Sequence, residues 1–281
     1  MAGQWFAIKV PLRLNITMAK TERELAFIRD LAINETWTKR FTDVIDKHID
    51  LKSVDNILYV NAGTGDHCIA IAERADDRTA VFAACENAEL LKIAKDKGAA
   101  VKADIDFSRL EFDDDSFDRV IAEASFTPFG ELEKLIRGAV RVARSGGRVA
   151  VTVPSVGSFG EILSLLWEVL FNEDLGEHGA AVEEILSRIP TVSRIEEIAA
   201  DAGLGNIKTE TAKEVFEYEN GAEFVSSPLI ADFLLPAWLE MLDEKEKERV
   251  SEKLAQLIDA EDGNLSFRFT VKVTLLTGEK K

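Results

Sequence analysis

Cysteine is nearly absent from this sequence. The 281-residue chain holds only Cys68 and Cys85, and neither belongs to a C-x-x-C pair. That argues against a zinc knuckle or a disulfide framework and leaves two reduced, buried thiols as the expectation. Long apolar runs are missing too. No stretch reaches the roughly 20 apolar residues of a membrane span. The most apolar helical segment, Ile162 to Phe171, is interrupted by Glu168. The N-terminus lacks the apolar region of a secretory signal, so the expected compartment is the cytoplasm. Positive charge is scarce, with 34 Lys and Arg against 51 Asp and Glu and a net charge of −17. Such a surface repels phosphate backbones, and no Lys/Arg cluster offers a local exception. Nucleic acid is therefore not an expected partner. There is no internal repeat, no G-x-S-x-G elbow of a hydrolase and no metal-ligating cluster.

What is present is a regular alternation. Short apolar runs at Asn56 to Val60, Thr79 to Cys85, Ala100 to Asp104, Phe117 to Ala122 and Arg148 to Val153 read as buried strands. Between them lie helical stretches at Ile69 to Glu73, Ala88 to Lys97 (ended by Gly98) and Leu132 to Ala143. Strands alternating with helices imply βαβ units and a parallel sheet. Upstream, Thr21 and Glu24 form a capping box, and Trp37, Phe41, Val44, Ile45 and His48 recur at helical spacing. That spacing makes His48 a residue at the edge of the apolar stripe. The first twenty residues read as a strand or as an arm over a pocket.

After Pro154 the alternation breaks. Helices are expected at Phe159 to Phe171, Ala181 to Ile189 and Ser193 to Ala202, the last with a Ser193/Glu196 capping box. Phe159, Leu163, Leu166, Trp167 and Phe171 either line an apolar pocket or pack as ordinary core. Ile207 to Tyr218 reads as a strand, and 220–260 as helices broken at Pro228 and Pro236. The alternation from Leu265 to Leu275 makes a long final strand. A late pair of strands after a parallel set suggests an antiparallel hairpin at the sheet edge.

The chemistry concentrates where the first strand meets Asn61-Ala62-Gly63-Thr64-Gly65. A strand entering a glycine turn and then a helix lets backbone approach a ligand and points free N–H groups at it. Glu86 follows the second strand, where a carboxylate can accept from both hydroxyls of a ribose. Together these features favour a nucleoside ligand. A dinucleotide dehydrogenase uses the same pair, but its third small residue is here Cys68.

Downstream, Leu110-Glu111-Phe112-Asp113-Asp114-Asp115-Ser116-Phe117-Asp118-Arg119-Val120 and Arg141-Val142-Ala143-Arg144-Ser145-Gly146-Gly147-Arg148 separate the two readings. In order and spacing this resembles class I S-adenosylmethionine-dependent methyltransferases of the small-molecule type. The resemblance covers 56–154 well and the rest loosely. It implies a Rossmann-like α/β fold, a mainly parallel seven-stranded sheet with an antiparallel C-terminal hairpin and a helical cap. It also implies S-adenosylmethionine as cofactor. Gly63 and Gly65 would line its methionine portion, with Tyr59, Asn61 and Ala62 of the same segment beside them. Glu86 would hold the ribose, with Asn87 near the adenine. Asp104 would accept from the adenine amino group and Ile105 pack on the ring. Glu123 to Phe126 would face the sulfonium and substrate. The family has an acid where Tyr59 stands and a glycine where Asn61 stands, although Asn tolerates positive φ.

The expected organisation is an N-terminal arm and helical cap over 1–50, a cofactor-binding core over 51–154, and cap helices with the last two strands over 155–281. The expected function is methyl transfer to a small-molecule acceptor. The alternative is a non-catalytic relative that binds a nucleoside, metabolite or partner chain. Methyl transfer needs positioning and desolvation more than a triad. Where the acceptor requires a base, His67 and His178 are the candidates.

Overall fold

The computed structural model describes residues 20–281 except 102, 109–110 and 263–265. The reading of the first twenty residues therefore falls almost wholly outside the described residues. The elements are, in order, α1 (Glu22–Ile28), a π-helix (Arg29–Thr38), α2 (Lys39–His48), β1 (Asn56–Val60), α3 (Asp66–Arg74), β2 (Ala80–Ala84), α4 (Ala88–Val101), β3 (Ile105–Asp106), β4 (Phe117–Glu123), α5 (Leu132–Val142) and β5 (Ala143–Ser155). The chain continues through α6 (Gly160–Asn172), α7 (Gly179–Arg188), α8 (Val192–Asp201), β6 (Leu204–Tyr218), α9 (Gly221–Ser226), a second π-helix (Leu229–Leu234), α10 (Leu235–Trp238), α11 (Glu244–Asp262) and β7 (Phe267–Lys280).

The seven strands form one sheet in the order β3-β2-β1-β4-β5-β7-β6. β1 pairs in parallel with β2 and β4, β2 with β3, and β4 with β5. β7 runs antiparallel between β5 and β6. This is the expected Rossmann-like sheet with its antiparallel C-terminal pair. The strand order reverses between β1 and β4. In open α/β sheets, ligands bind outside the carboxyl ends of the strands at that reversal.

Apolar side chains cover both faces of the sheet. Ile57, Tyr59 and Ile121 belong to one buried cluster with Trp37, Phe41 and Ile45, whereas Leu58, Val120 and Ala122 belong to the other with Ile136, Val140 and Ile198. The split follows from the pleat, which sends successive residues to opposite faces. Phe159, Leu163 and Leu166 are core. Trp167 and Phe171 are exposed and stack on each other with centroids 5.8 Å apart. No helix among the described residues is long and apolar enough to cross a membrane.

The N-terminal helices run on continuously from a capping box. Thr21 N–H donates to Glu24 Oε2 (2.8 Å), and Glu24 N–H donates to Thr21 Oγ1 (3.3 Å). The middle of this rod winds as a π-helix, a form that is rare and frequent at functional sites. Nothing in the residue spacing signals it.

Three local expectations are corrected. α4 does not stop at Gly98 but continues to Val101. Gly98 is buried beneath Phe107 and lacks the positive φ of a helix stop. As a consequence β3 begins at Ile105, so Asp104 precedes the strand instead of ending it. The N-cap of α8 is Thr191, whose side chain accepts from Arg194 N–H at 3.0 Å, not Ser193.

Candidate functional site

β1 delivers its chain end into the glycine turn. Asn61, Gly63 and Gly65 all have positive φ, at 57°, 57° and 94°. A Cβ on Gly65 would stand 3.0 Å from Ala94 on α4, so only glycine lets the turn pack there. Ala62 N–H donates to Ala84 O of β2 (2.9 Å), and Gly65 N–H to Ala62 O (2.9 Å). Asn61 adopts the left-handed conformation and uses its side chain as a brace. Its Nδ2 donates to Glu123 O (3.0 Å) and Thr127 Oγ1 (3.1 Å), tying the turn to the end of β4.

Glu86 faces the same turn from beyond β2. Its Oε2 accepts the Gly63 N–H at 3.0 Å, and its Oε1 lies 2.6 Å from Arg29 Nη1. Glu123, the last residue of β4, is 2% exposed. Its Oε1 accepts the Ser125 N–H at 2.6 Å, and its Oε2 stands 3.7 Å from Arg29 Nη2. Burial pushes the Glu123 carboxyl up to about 7, against the opposing pull of Arg29. The Arg29 guanidinium thus sits between two carboxylates. It also lies 4.9 Å over the ring of Phe126. A Cβ on Gly63 would approach its Nη2 to 3.1 Å, so the glycine leaves room for this side chain.

Arg29 divides the crevice in two. On one side a cavity of about 790 Å³ is lined by Leu58, Val60, Ala84, Glu86, Phe126 and Phe233, among others. On the other a cavity of about 210 Å³ lies along the glycine turn, with Asn34, Thr38, Tyr59, Gly63 and His67 in its wall. Both are lined by Arg29, Asn61 and Glu123.

Tyr59 does not fill the larger cavity. It is buried, and its Oη lies 2.7 Å from His67 Nδ1, while His67 Nε2 lies 3.0 Å from Asp46 Oδ1. Arg74 Nη2 donates to the same Asp46 oxygen at 2.7 Å. Burial, reinforced by the charge of Glu123, pushes the Tyr59 phenol well above its ordinary value. His67 is thereby held on both ring nitrogens.

Of the remaining predicted residues, Asn87 alone among the described ones borders a cavity. Asn87 borders the larger cavity, but its Oδ1 accepts Leu90 N–H (2.9 Å) at the start of α4. Asp104 is exposed, and neither it nor Ile105 lines either cavity. The carboxylate at the end of β3 is Asp106, which accepts from Ser108 N–H at 2.7 Å. His178 lies before α7 and lines neither cavity. The cysteine thiols are both pushed up to about 12 by burial, leaving no ready nucleophile.

The residue that sequence reasoning missed is Arg29. Ala26, Arg29, Ile33 and Trp37 form one buried row along the helix, so a charge on the apolar stripe was the available signal.

The donor set suits an adenosyl cofactor in part. Glu86 and the apolar wall fit a nucleoside. Arg29 Nε and Thr38 Oγ1 are buried without a hydrogen-bond partner and remain open to a polar ligand end. Joining the two cavities requires Arg29 to release Glu86. Lys97 Nζ holds Asp30 at 2.7 Å and Asn34 Nδ2 bonds Thr64 Oγ1, so the helix is anchored and the side chain must do the moving.

Residues 21–213 match the ubiE/COQ5 methyltransferase family. Among solved structures, the YcgJ protein from Bacillus subtilis is 13% identical at TM-score 0.57, over 86% of this chain and 99% of that one. Phosphoethanolamine N-methyltransferase 2 of Haemonchus contortus is 14% identical at TM-score 0.53, over 92% of this chain and 58% of that one. Its structure contains phosphomonomethylethanolamine and S-adenosylhomocysteine. No curated protein matches the chain.

Proposed function

The chain belongs to the ubiE/COQ5 methyltransferase family, and from that premise we propose that it transfers the methyl group of S-adenosylmethionine to a small-molecule acceptor held at the carboxyl edge of β1 and β4. One observation carries the placement: Glu86 and the glycine turn converge, with Gly63 N–H 3.0 Å from Glu86 Oε2. The cofactor supplies an electrophilic methyl group on a sulfonium when bound.

The chain's own residues bind, orient and exclude water. Glu86 accepts from the ribose hydroxyls once Arg29 has let go of it. Leu58, Val60, Ala84 and Leu90 give the nucleoside an apolar bed. Gly63 and Gly65 keep the turn free of side chains, with Asn61 and Ala62 holding its shape. Tyr59 and His67 wall the smaller cavity, where the amino-acid end belongs. Phe126 and Phe233, with ring centroids 5.2 Å apart, keep water from the larger one. Asn87 contributes as the cap of α4. We assign no site role to Asp104, Ile105 or His178. His67 is committed to Tyr59 and Asp46, so we do not assign it as a base. A bimolecular displacement depends on alignment and desolvation of the two partners, which these groups supply. Residues 51–154 make the cofactor-binding core in this reading, with 20–50 and the helices of 155–281 as its cover.

Titration calorimetry with S-adenosylmethionine and S-adenosylhomocysteine tests the proposal. Binding of both is expected. No heat from either at millimolar ligand rejects it.

A further inference from the structure

The Glu86–Arg29–Glu123 group has an odd charge balance. Two carboxylates share one guanidinium, and they do so unequally. Glu86 holds Arg29 at 2.6 Å and takes a second bond from Gly63 N–H. Glu123 receives Arg29 only at 3.7 Å. Its Oε1 also accepts the Ser125 N–H, a neutral donor. A carboxylate that is 2% exposed and meets its cation only at 3.7 Å is costly. Burial raising its carboxyl to about 7 is the same cost seen from the proton's side.

The position beside Glu123 has a further mark of a cation site. The ring of Phe126 presents its face there, with the Arg29 guanidinium over it at 4.9 Å. Phe126 packs against Phe233 and Trp37, so the ring is held in place. Little bulk water reaches Glu123, which is 2% exposed. Carboxylate, ring face and resident guanidinium together define where a positive charge is stable in this crevice.

S-adenosylmethionine and S-adenosylhomocysteine differ there by one methyl group and one positive charge. Their adenine, ribose and amino-acid ends are the same. We infer that Glu123 is a counter-ion that makes this crevice prefer a sulfonium cofactor to its neutral thioether product, with Arg29 standing in for that cation in the ligand-free form. The inference rests on the proposed function above. It adds a specificity residue and a consequence: transferring the methyl removes the charge that Glu123 holds, so the spent cofactor loosens as Arg29 returns.

The test is a ratio of affinities, because contacts common to both ligands cancel in it. Calorimetry with S-adenosylmethionine, S-adenosylhomocysteine and sinefungin, an unreactive analogue with an ammonium near the sulfonium position, reads it directly. The wild-type protein is expected to bind the two cationic ligands about tenfold or more tighter than S-adenosylhomocysteine, as one partly buried charge pair allows. Glu123→Gln keeps an oxygen for the Ser125 N–H and removes the charge. It should bring all three affinities within about threefold by weakening the cationic ligands. Arg29→Gln removes the competing cation and should raise the ratio. Glu86→Gln should weaken all three alike. The Arg29→Gln ratio also decides the matter if Glu123→Gln proves unstable. An unchanged ratio in Glu123→Gln and Arg29→Gln overturns the inference alone. No binding of any ligand to the wild type overturns it together with the cofactor assignment.

Discussion

Arg29 on the N-terminal helix stands 2.6 Å from Glu86 beyond β2, so one ion pair bridges the crevice at the point where the sheet's strand order reverses. Glu86 is partly open to solvent and Arg29 is not. The pair therefore resembles a latch on the protein's surface side, closed by a side chain and released by a better acceptor or donor. Opening it exposes the carboxylate to a ribose without dismantling the helix, which Lys97 and Asn34 hold elsewhere.

Replacing Glu86 by alanine should weaken binding of S-adenosylhomocysteine by more than tenfold, because two charge-assisted hydrogen bonds to the ribose are lost. Calorimetry measures this, with thermal unfolding as a control for fold. An affinity equal to wild type would remove Glu86 from the site.

Glu123 should leave a pH signature on stability. Its folded-state carboxyl is raised to about 7 from 4.5, with Arg29, Glu86, Tyr59 and the Ser125 N–H as the groups around it. Between those values the folded chain holds a proton that the unfolded chain has released. Stability from this group is thus complete below about 4.5 and is lost as pH rises through about 7. The difference in melting temperature between wild type and Glu123→Gln should fall over that window and flatten above it. A difference independent of pH would show that Glu123 titrates as an ordinary surface acid.

Tyr59→Phe removes the hydroxyl that meets His67 Nδ1 at 2.7 Å and leaves a ring nitrogen of His67 without a partner. The expected cost is about 1–2 kcal/mol, the usual penalty for an unsatisfied buried polar group. Urea unfolding measures it. A cost near zero would mean that water readily replaces the phenol. Tyr59→Asp, by contrast, should destabilise strongly, since it places a carboxylate and a void in the core.

Asn61 separates two contributions to the glycine turn. Asn61→Ala loses the hydrogen bonds to Glu123 O and Thr127 Oγ1 and keeps a Cβ at φ of 57° without asparagine's local compensation. Asn61→Gly loses the same bonds but relaxes the backbone. The alanine variant should be less stable than the glycine variant by about 1 kcal/mol. Equal stabilities would show that the backbone strain at this position is negligible.

Much of the fold was legible because its cause is local. β1 is apolar from Ile57 to Val60 and β4 from Val120 to Ala122, and a strand buried on both faces needs little else to declare itself. Asn61, Gly63 and Gly65 announce a turn because few residues tolerate positive φ, and Glu86 follows the second strand and meets that turn. β3 was misplaced because Gly98 reads locally as a stop. Its burial under Phe107 is a fact about two segments, and it lets α4 run on. With that shift Asp104 precedes β3, and neither it nor Ile105 lines either cavity.

The residue types and their periods determined the alternating sheet, the turn and the carboxylate facing it, since each follows from sterics and apolar patterning within a few neighbours. Tertiary structure alone decided that Arg29 lies between Glu86 and Glu123, and that Tyr59 turns to His67 instead of into the larger cavity. Charge compensation depends on distance in space, and no spacing along the chain encodes which carboxylate a buried guanidinium will meet.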